Sequence, residues 1–219
     1  MTIDLITLTD PRSPRTEAYR SLRTNLEFLS LDHALHTLLV TTAAPEEGKS
    51  VTLANIGVIF AREEKQVILV DADMRRPRLH EIFGLGNDDG VSSLLRHPDA
   101  PLPLQETEVP NLRLLTAGPP PPNPADLLAS AHMETLLARL TELADIVLID
   151  APPVIAATDA ALLAAKVDGV LLVVSAGRTK REHVERAKDL LEKVNANVIG
   201  AVLINAALDV STYGEYGRD

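Results

Sequence analysis

Five short, wholly apolar runs constrain this chain most: Leu38-Leu39-Val40, Val67–Val70, Ile146–Ile149, Val170–Val174 and Val198–Ile204. Each is too short to be a buried helix and lacks the alternation of a half-exposed strand. A strand buried on both faces has this pattern, and such strands belong to parallel sheets covered by helices. Helical spacing fills the gaps. Helices are expected over Pro14–Ser30, from Lys49 to about Arg62, over about Ala125–Glu142 and over about Lys180–Val194. His36–Thr42 and Leu112–Thr116 complete the strand set. Strand alternating with helix along the whole chain predicts an α/β fold, a three-layer parallel sheet with helices on both faces. No repeat or second domain interrupts it. The five prolines of Pro119–Pro124 form a connector too short to separate domains. One domain is therefore expected over residues 1–219. Thr2–Ser13 reads as an extended or mobile lead and Ser211–Asp219 as a polar, disordered tail.

Composition narrows the chemistry. The net charge is −10, which opposes sequence-independent binding to nucleic acid. There is no cysteine, so disulfides and thiolate chemistry are absent and a reducing cytoplasm is the simplest location. No apolar run reaches the ~18 residues of a membrane span, so membrane association is expected to come through a partner.

One loop stands where an anion would bind. Ala44-Pro45-Glu46-Glu47-Gly48-Lys49-Ser50-Val51 follows an expected strand and opens an expected helix. Backbone N–H groups and a helix N-terminus can then converge on phosphate. Lys49 adds charge for the β- and γ-phosphates, and Ser50 offers a hydroxyl to Mg²⁺. The usual pattern opens on glycine, but here Ala43 takes that place. Asp71 and Asp73 end one apolar run, and Asp150 ends another. Ligands of open parallel sheets bind beyond the carboxyl ends of strands, so the three acids should meet at the loop. Any one of them alone could be a helix cap. Together with Gly-Lys-Ser they form a set suited to ATP with Mg²⁺.

These residues resemble a known family. Val70-Asp71-Ala72-Asp73-Met74-Arg75-Arg76-Pro77 is similar to the second Walker motif of the bacterial tyrosine kinases that regulate capsule and exopolysaccharide synthesis. Ile149-Asp150-Ala151-Pro152-Pro153 resembles their Walker B motif, and Glu17-x-x-Arg20-x-x-Arg23 their oligomerisation signature. Gly118–Leu128 resembles a further shared segment. The resemblance implies a P-loop NTPase fold and tyrosine phosphorylation by ATP. Lys49 would bind phosphate. Ser50, Asp73 and Asp150 would hold Mg²⁺, directly or through water, and Asp71 would be base or orienter for a tyrosine hydroxyl. Asn205 would touch adenine, or else close the last strand as a turn residue. The partition and cell-division ATPases are related, but they carry a lysine where this chain has Ala44. An ATPase switch of that class is one alternative, and a non-catalytic nucleotide-binding regulator of polysaccharide polymerisation another. Glu46 stands where the kinases often have glycine, and it would repel phosphate unless it pointed away.

On a helix, Glu17, Arg20 and Arg23 span an arc of about 120°, roughly opposite an apolar stripe of Ala18, Leu22, Leu26 and Leu29. Spacing alone fits a solvated face. The resemblance implies a contact in a ring of identical subunits. It further implies phosphoacceptor tyrosines at the C-terminus, here Tyr213 and Tyr216. It also implies a membrane-embedded activator, a polysaccharide co-polymerase expected as a separate chain. That partner would hold the protein at the inner face of the plasma membrane.

Overall fold

The computed structural model describes residues 4–29 and 34–207. Its sheet has seven strands: β1 (Thr37–Thr42), β2 (Val67–Asp71), β3 (Gln105–Glu106), β4 (Leu112–Leu115), β5 (Ile146–Asp150), β6 (Gly169–Ser175) and β7 (Val198–Ile204). Their order is β3-β4-β2-β5-β1-β6-β7. Only the polar two-residue edge strand β3 runs antiparallel.

Alternation along the strands divides the interior in two. Leu39, Ile68, Val70, Val147, Ile149 and Leu172 face one core. That core is closed by α5 (Val91–Arg96), α6 (Pro124–Ala129), α7 (Ala131–Thr141), α8 (Asp159–Ala164) and α9 (Arg181–Glu192). Leu38, Val40, Val67, Leu69, Leu148 and Val173 face the other. There α1 (Ile6–Thr9), α2 (Pro14–Leu29), α3 (Lys49–Arg62) and α4 (Leu79–Phe83) close it. The expected three-layer sheet is thus present. Helix α3 packs close to the sheet: a Cβ on Gly57 would come within 2.7 Å of the Leu69 side chain.

Several local expectations change. The lead is not free over its described part. Residues Ile6–Thr9 form a helical turn, Leu5 is buried, and both the backbone N–H (3.1 Å) and hydroxyl (2.8 Å) of Thr7 donate to Asn55 Oδ1 in α3. Arg62 then donates to the Thr7 carbonyl at 2.7 Å. The helix expected over Ala125–Glu142 is two. Ser130 is extended (ψ 156°) and its hydroxyl donates back to the Leu127 carbonyl at 2.6 Å, ending α6 before α7 begins.

The inward face of α2 is Thr16, Tyr19, Leu22, Arg23 and Leu26, whereas Ala18 and Leu29 are exposed. Polar side chains take the inner positions because each finds a partner. Thr16 donates to the Asp10 carbonyl at 2.8 Å. Tyr19 hydrogen-bonds to Thr52 on α3, and burial raises its phenol pKa. Arg23 lies 3.2 Å from Glu63 and 3.8 Å from Glu27. Arg23 is thus held by ion pairs within its own chain, while Glu17 and Arg20 stay outward, 2.8 Å apart.

Candidate functional site: a phosphate loop beside three acids

Strand order builds the site. β5 lies between β2 and β1, so Asp71 pairs in register with Asp150 and Asp150 with Val40. Both acids therefore emerge next to the loop that follows β1. Asp73 lies two residues past Asp71, on the same edge.

The loop closes on itself. Gly48 is left-handed at φ 76°, the turn that starts α3. Glu46 is also left-handed at φ 60°, where glycine is ordinarily favoured. Glu47 is buried; it accepts the Ala44 N–H at 3.1 Å and the Thr179 hydroxyl at 2.6 Å. Glu46 meets the preceding residue of the same turn, Arg178, at 2.9 Å. Its carboxylate is thus paired with a guanidinium.

Lys49 sits among the acids. Its Nζ is 2.9 Å from Asp73 Oδ2 and 2.8 Å from Asp150 Oδ1. Burial alone would lower its pKa, but Asp150 and Asp73 outweigh that and raise it. Ser50 Oγ donates to Asp150 Oδ2 at 2.5 Å. Asp150 is fully buried and its pKa is raised by desolvation, against the pull of Lys49. In Asp71, Oδ2 accepts the N–H groups of Arg78 (3.0 Å) and Leu79 (2.9 Å). Its Oδ1 is buried without a hydrogen-bond partner. Burial, then the neighbouring charge of Asp150, pushes Asp71 up to about 8.

Three carboxylates facing one lysine leave a surplus of oxygen donors, which suits a hard divalent cation. Among the described residues no three acidic or histidine side chains form a closed metal cage. Magnesium needs none: it uses one or two carboxylates with phosphate and water oxygens. Ser50, Asp73 and Asp150 fit that set.

Asn205 follows β7 in a left-handed turn (φ 57°) and donates to Ser175 Oγ at 3.0 Å. Val51 is half-buried against the α2–α3 core. Tyr213 and Tyr216 lie outside the described residues. The sequence reading missed Thr179, whose hydroxyl anchors the loop through Glu47. It also missed Asp159, a fully buried acid held by Arg75 through two bonds of 2.8 and 2.9 Å. Neither has a motif; each is a long-range pairing.

A family model described as NUBPL iron-transfer P-loop NTPase matches residues 34–208. Nucleotide binding goes with that family. Over 216 residues the chain is 40% identical to tyrosine-protein kinase YwqD of Bacillus subtilis, covering 98% of this chain and 91% of that one. It is 37% identical to the putative tyrosine-protein kinase CapB of Staphylococcus aureus over 215 residues, 95% and 93% of the two chains. Among solved structures, the kinase domain of the Escherichia coli tyrosine kinase ETK superposes with a TM-score of 0.87. It is 30% identical and covers 94% of this chain and 83% of that one. Sequence and fold agree along nearly the full length, and the chain belongs to the bacterial tyrosine kinase family of P-loop NTPases.

Proposed function

We propose that the chain transfers the γ-phosphoryl group of ATP to tyrosine, acting on its own C-terminal tail and so regulating capsule or exopolysaccharide synthesis and export. The observation that carries this is Asp71. One oxygen is fixed by two backbone N–H groups, while the other is buried, unpartnered and attached to a carboxyl with a pKa near 8. Once deprotonated, that unpartnered oxygen is placed to take the proton of an incoming hydroxyl. The loop N–H groups and Lys49 hold the β- and γ-phosphates. Ser50, Asp73 and Asp150 hold Mg²⁺, which neutralises charge on the transferring group when bound. The remaining work is positioning. Asn205, at the end of β7, is the candidate contact for adenine.

Ring assembly is part of the proposal. Glu17 and Arg20 are outward on α2, and the same helix exposes Phe28 (65%) and Leu29 (49%), a surface suited to contact. Changing Glu17 and Arg20 together to Ala should turn a ring into monomers by light scattering. An unchanged mass would make α2 a plain solvated surface. Arg23 is left in place because its loss would loosen α2 from its own subunit. Among the described residues no helix is long and apolar enough to cross a membrane. A cytoplasmic protein held at the membrane by an activator chain fits that.

Tyr213 and Tyr216 are the proposed acceptors, phosphorylated by a neighbouring subunit. Each phosphate adds roughly −1.5 to −2 charges, so modified tails should leave the acid-rich site and loosen the ring. The test mixes a Lys49→Met subunit with an intact tail and an active subunit carrying Tyr213→Phe and Tyr216→Phe. Radiolabel from ATP on the inactive subunit's tail is expected. Normal self-labelling of the unchanged protein with none in the mixture, where circular dichroism shows the Lys49→Met subunit folded, rules out transfer between chains. Release of free phosphate without phosphotyrosine would point instead to an ATPase switch. Neither product would point to a regulator.

A further inference from the structure

The two glutamates of the phosphate loop are each bound by the turn between β6 and α9, one residue after the other. Glu46 meets Arg178 and Glu47 meets Thr179, at 2.9 and 2.6 Å. Gly177, left-handed at φ 71° with open space around its α-carbon, supplies the bend that presents 178 and 179 together. Thr179 Oγ1 also accepts the Ser175 N–H at 2.8 Å, so the turn is fixed to the end of β6. The inner rung, from buried Glu47 to half-buried Thr179, holds the loop's shape. The outer rung has a different character. Glu46 and Arg178 are both well exposed, at 72% and 58% of their side-chain surface, and an exposed pair of this kind adds little to stability.

Its place matters more than its strength. Glu46 lies three residues before Lys49, on the loop whose N–H groups face phosphate, in a protein of net charge −10. Three further carboxylates already stand at the same strand ends. A free carboxylate at Glu46 would add to the repulsion of any polyanion entering the loop. Paired to a guanidinium, the same group is only a dipole directed sideways, and its field falls off faster with distance. We propose that Arg178 is an affinity-setting residue: it holds the Glu46 carboxylate aside and cancels its charge, and so lets a loop with glutamate in a left-handed position still accept nucleotide phosphates. Arg178 acts on the nucleotide through Glu46, as a positioning residue rather than a catalytic one.

This rests on the nucleotide-binding reading, and a four-protein comparison separates the two. Binding of ATP-Mg²⁺ is measured with the full chain at low and high salt. Arg178→Ala should weaken ATP binding by about three- to tenfold at low salt, and the loss should shrink above roughly 0.15 M salt, where the screening length is about 8 Å. Glu46→Gly alone should bind ATP as tightly or somewhat more tightly. The double variant Glu46→Gly/Arg178→Ala should recover at least the affinity of the unchanged protein. A purely structural role for Arg178 predicts neither the recovery nor the salt dependence. If the double variant binds as weakly as Arg178→Ala, the arginine acts on nucleotide directly and the proposal is overturned. If Arg178→Ala binds normally at low salt, the proposal is overturned as well. No ATP binding by the unchanged protein would instead overturn the nucleotide reading itself, and this inference with it.

Discussion

Lys49→Met is expected to reduce phosphoryl transfer by about a hundred- to a thousandfold, the scale on which fixed charges stabilise a transferring group. Its effect on the fold is expected to be large too. From sequence, the lysine looks dedicated to phosphate and its loss looks harmless to the core. The structure shows otherwise: the ammonium lies 2.9 Å from Asp73 and 2.8 Å from Asp150, nearly out of reach of water. Methionine there leaves buried carboxylates without their counter-charge. Removing one member of a buried pair costs about 3–5 kcal/mol. The penalty should depend on pH in a definite direction. Free Asp titrates near ~3.9, whereas Asp71 and Asp150 already have raised values in the folded chain. Without Lys49 they move further up, so the folded variant holds protons that the unfolded chain has released. Its stability is then lost as pH rises through the folded values and regained as pH falls toward the unfolded ones. Denaturant titrations of the nucleotide-free protein at pH 5.5 and pH 8 should show a deficit much larger at pH 8. Equal stability of the two proteins at pH 8 would mean that the lysine is not neutralising the acids in solution.

Asp71→Asn should separate chemistry from stability. An amide has the same shape and keeps an oxygen for the Arg78 and Leu79 N–H groups. It cannot take a proton from tyrosine, so transfer should fall by about a hundred- to ten-thousandfold, the range expected of a general base. ATP affinity should change much less, because this side chain is not in the proposed Mg²⁺ set. Meanwhile the nucleotide-free variant should melt at a higher temperature than the unchanged protein. The carboxyl is fully buried with one unpartnered oxygen, and its pKa is about 8. The burden is absent below the unfolded value near ~3.9 and complete above pH 8, so the gap in melting temperature should widen as pH rises across that interval. A large loss of ATP affinity with near-normal turnover per bound ATP would place Asp71 on the metal instead.

Much of this site could be read from the chain because its parts are local. Gly48-Lys49-Ser50 carries its own turn and helix start, and Asp71 and Asp150 each end an unbroken apolar run. Parallel direction placed the acids on one edge of the sheet, but the adjacency of β5 to both β1 and β2, which brings them together, was not disclosed by sequence order. What escaped were pairings between distant residues. Thr179 and Glu47 are 132 positions apart, and Arg75 and Asp159 are 84 apart. Helix α2 failed for another reason. Hydrophobicity alone selected Ala18 and Leu29, but Thr16, Tyr19 and Arg23 go inward because hydrogen bonds and ion pairs await them there. The short helices α4, α5 and α8, of five or six residues, are too brief to show a period.

The position of β1 has a consequence for how the chain reaches its native state. Thr37 pairs with Val147, and Leu38 with Gly169. The strand that carries the phosphate loop therefore has no sheet neighbour until more than a hundred further residues exist. β2 and β4 can meet sooner, since Val67 pairs with Leu112. Long-range parallel pairing is slow because loop-closure entropy must be overcome first. During synthesis β1 and the apolar underside of α3 remain uncovered while the β2–β4 half assembles, a period of aggregation risk. The nucleotide site is thus completed late in folding, when β5 and then β6 close on either side of β1.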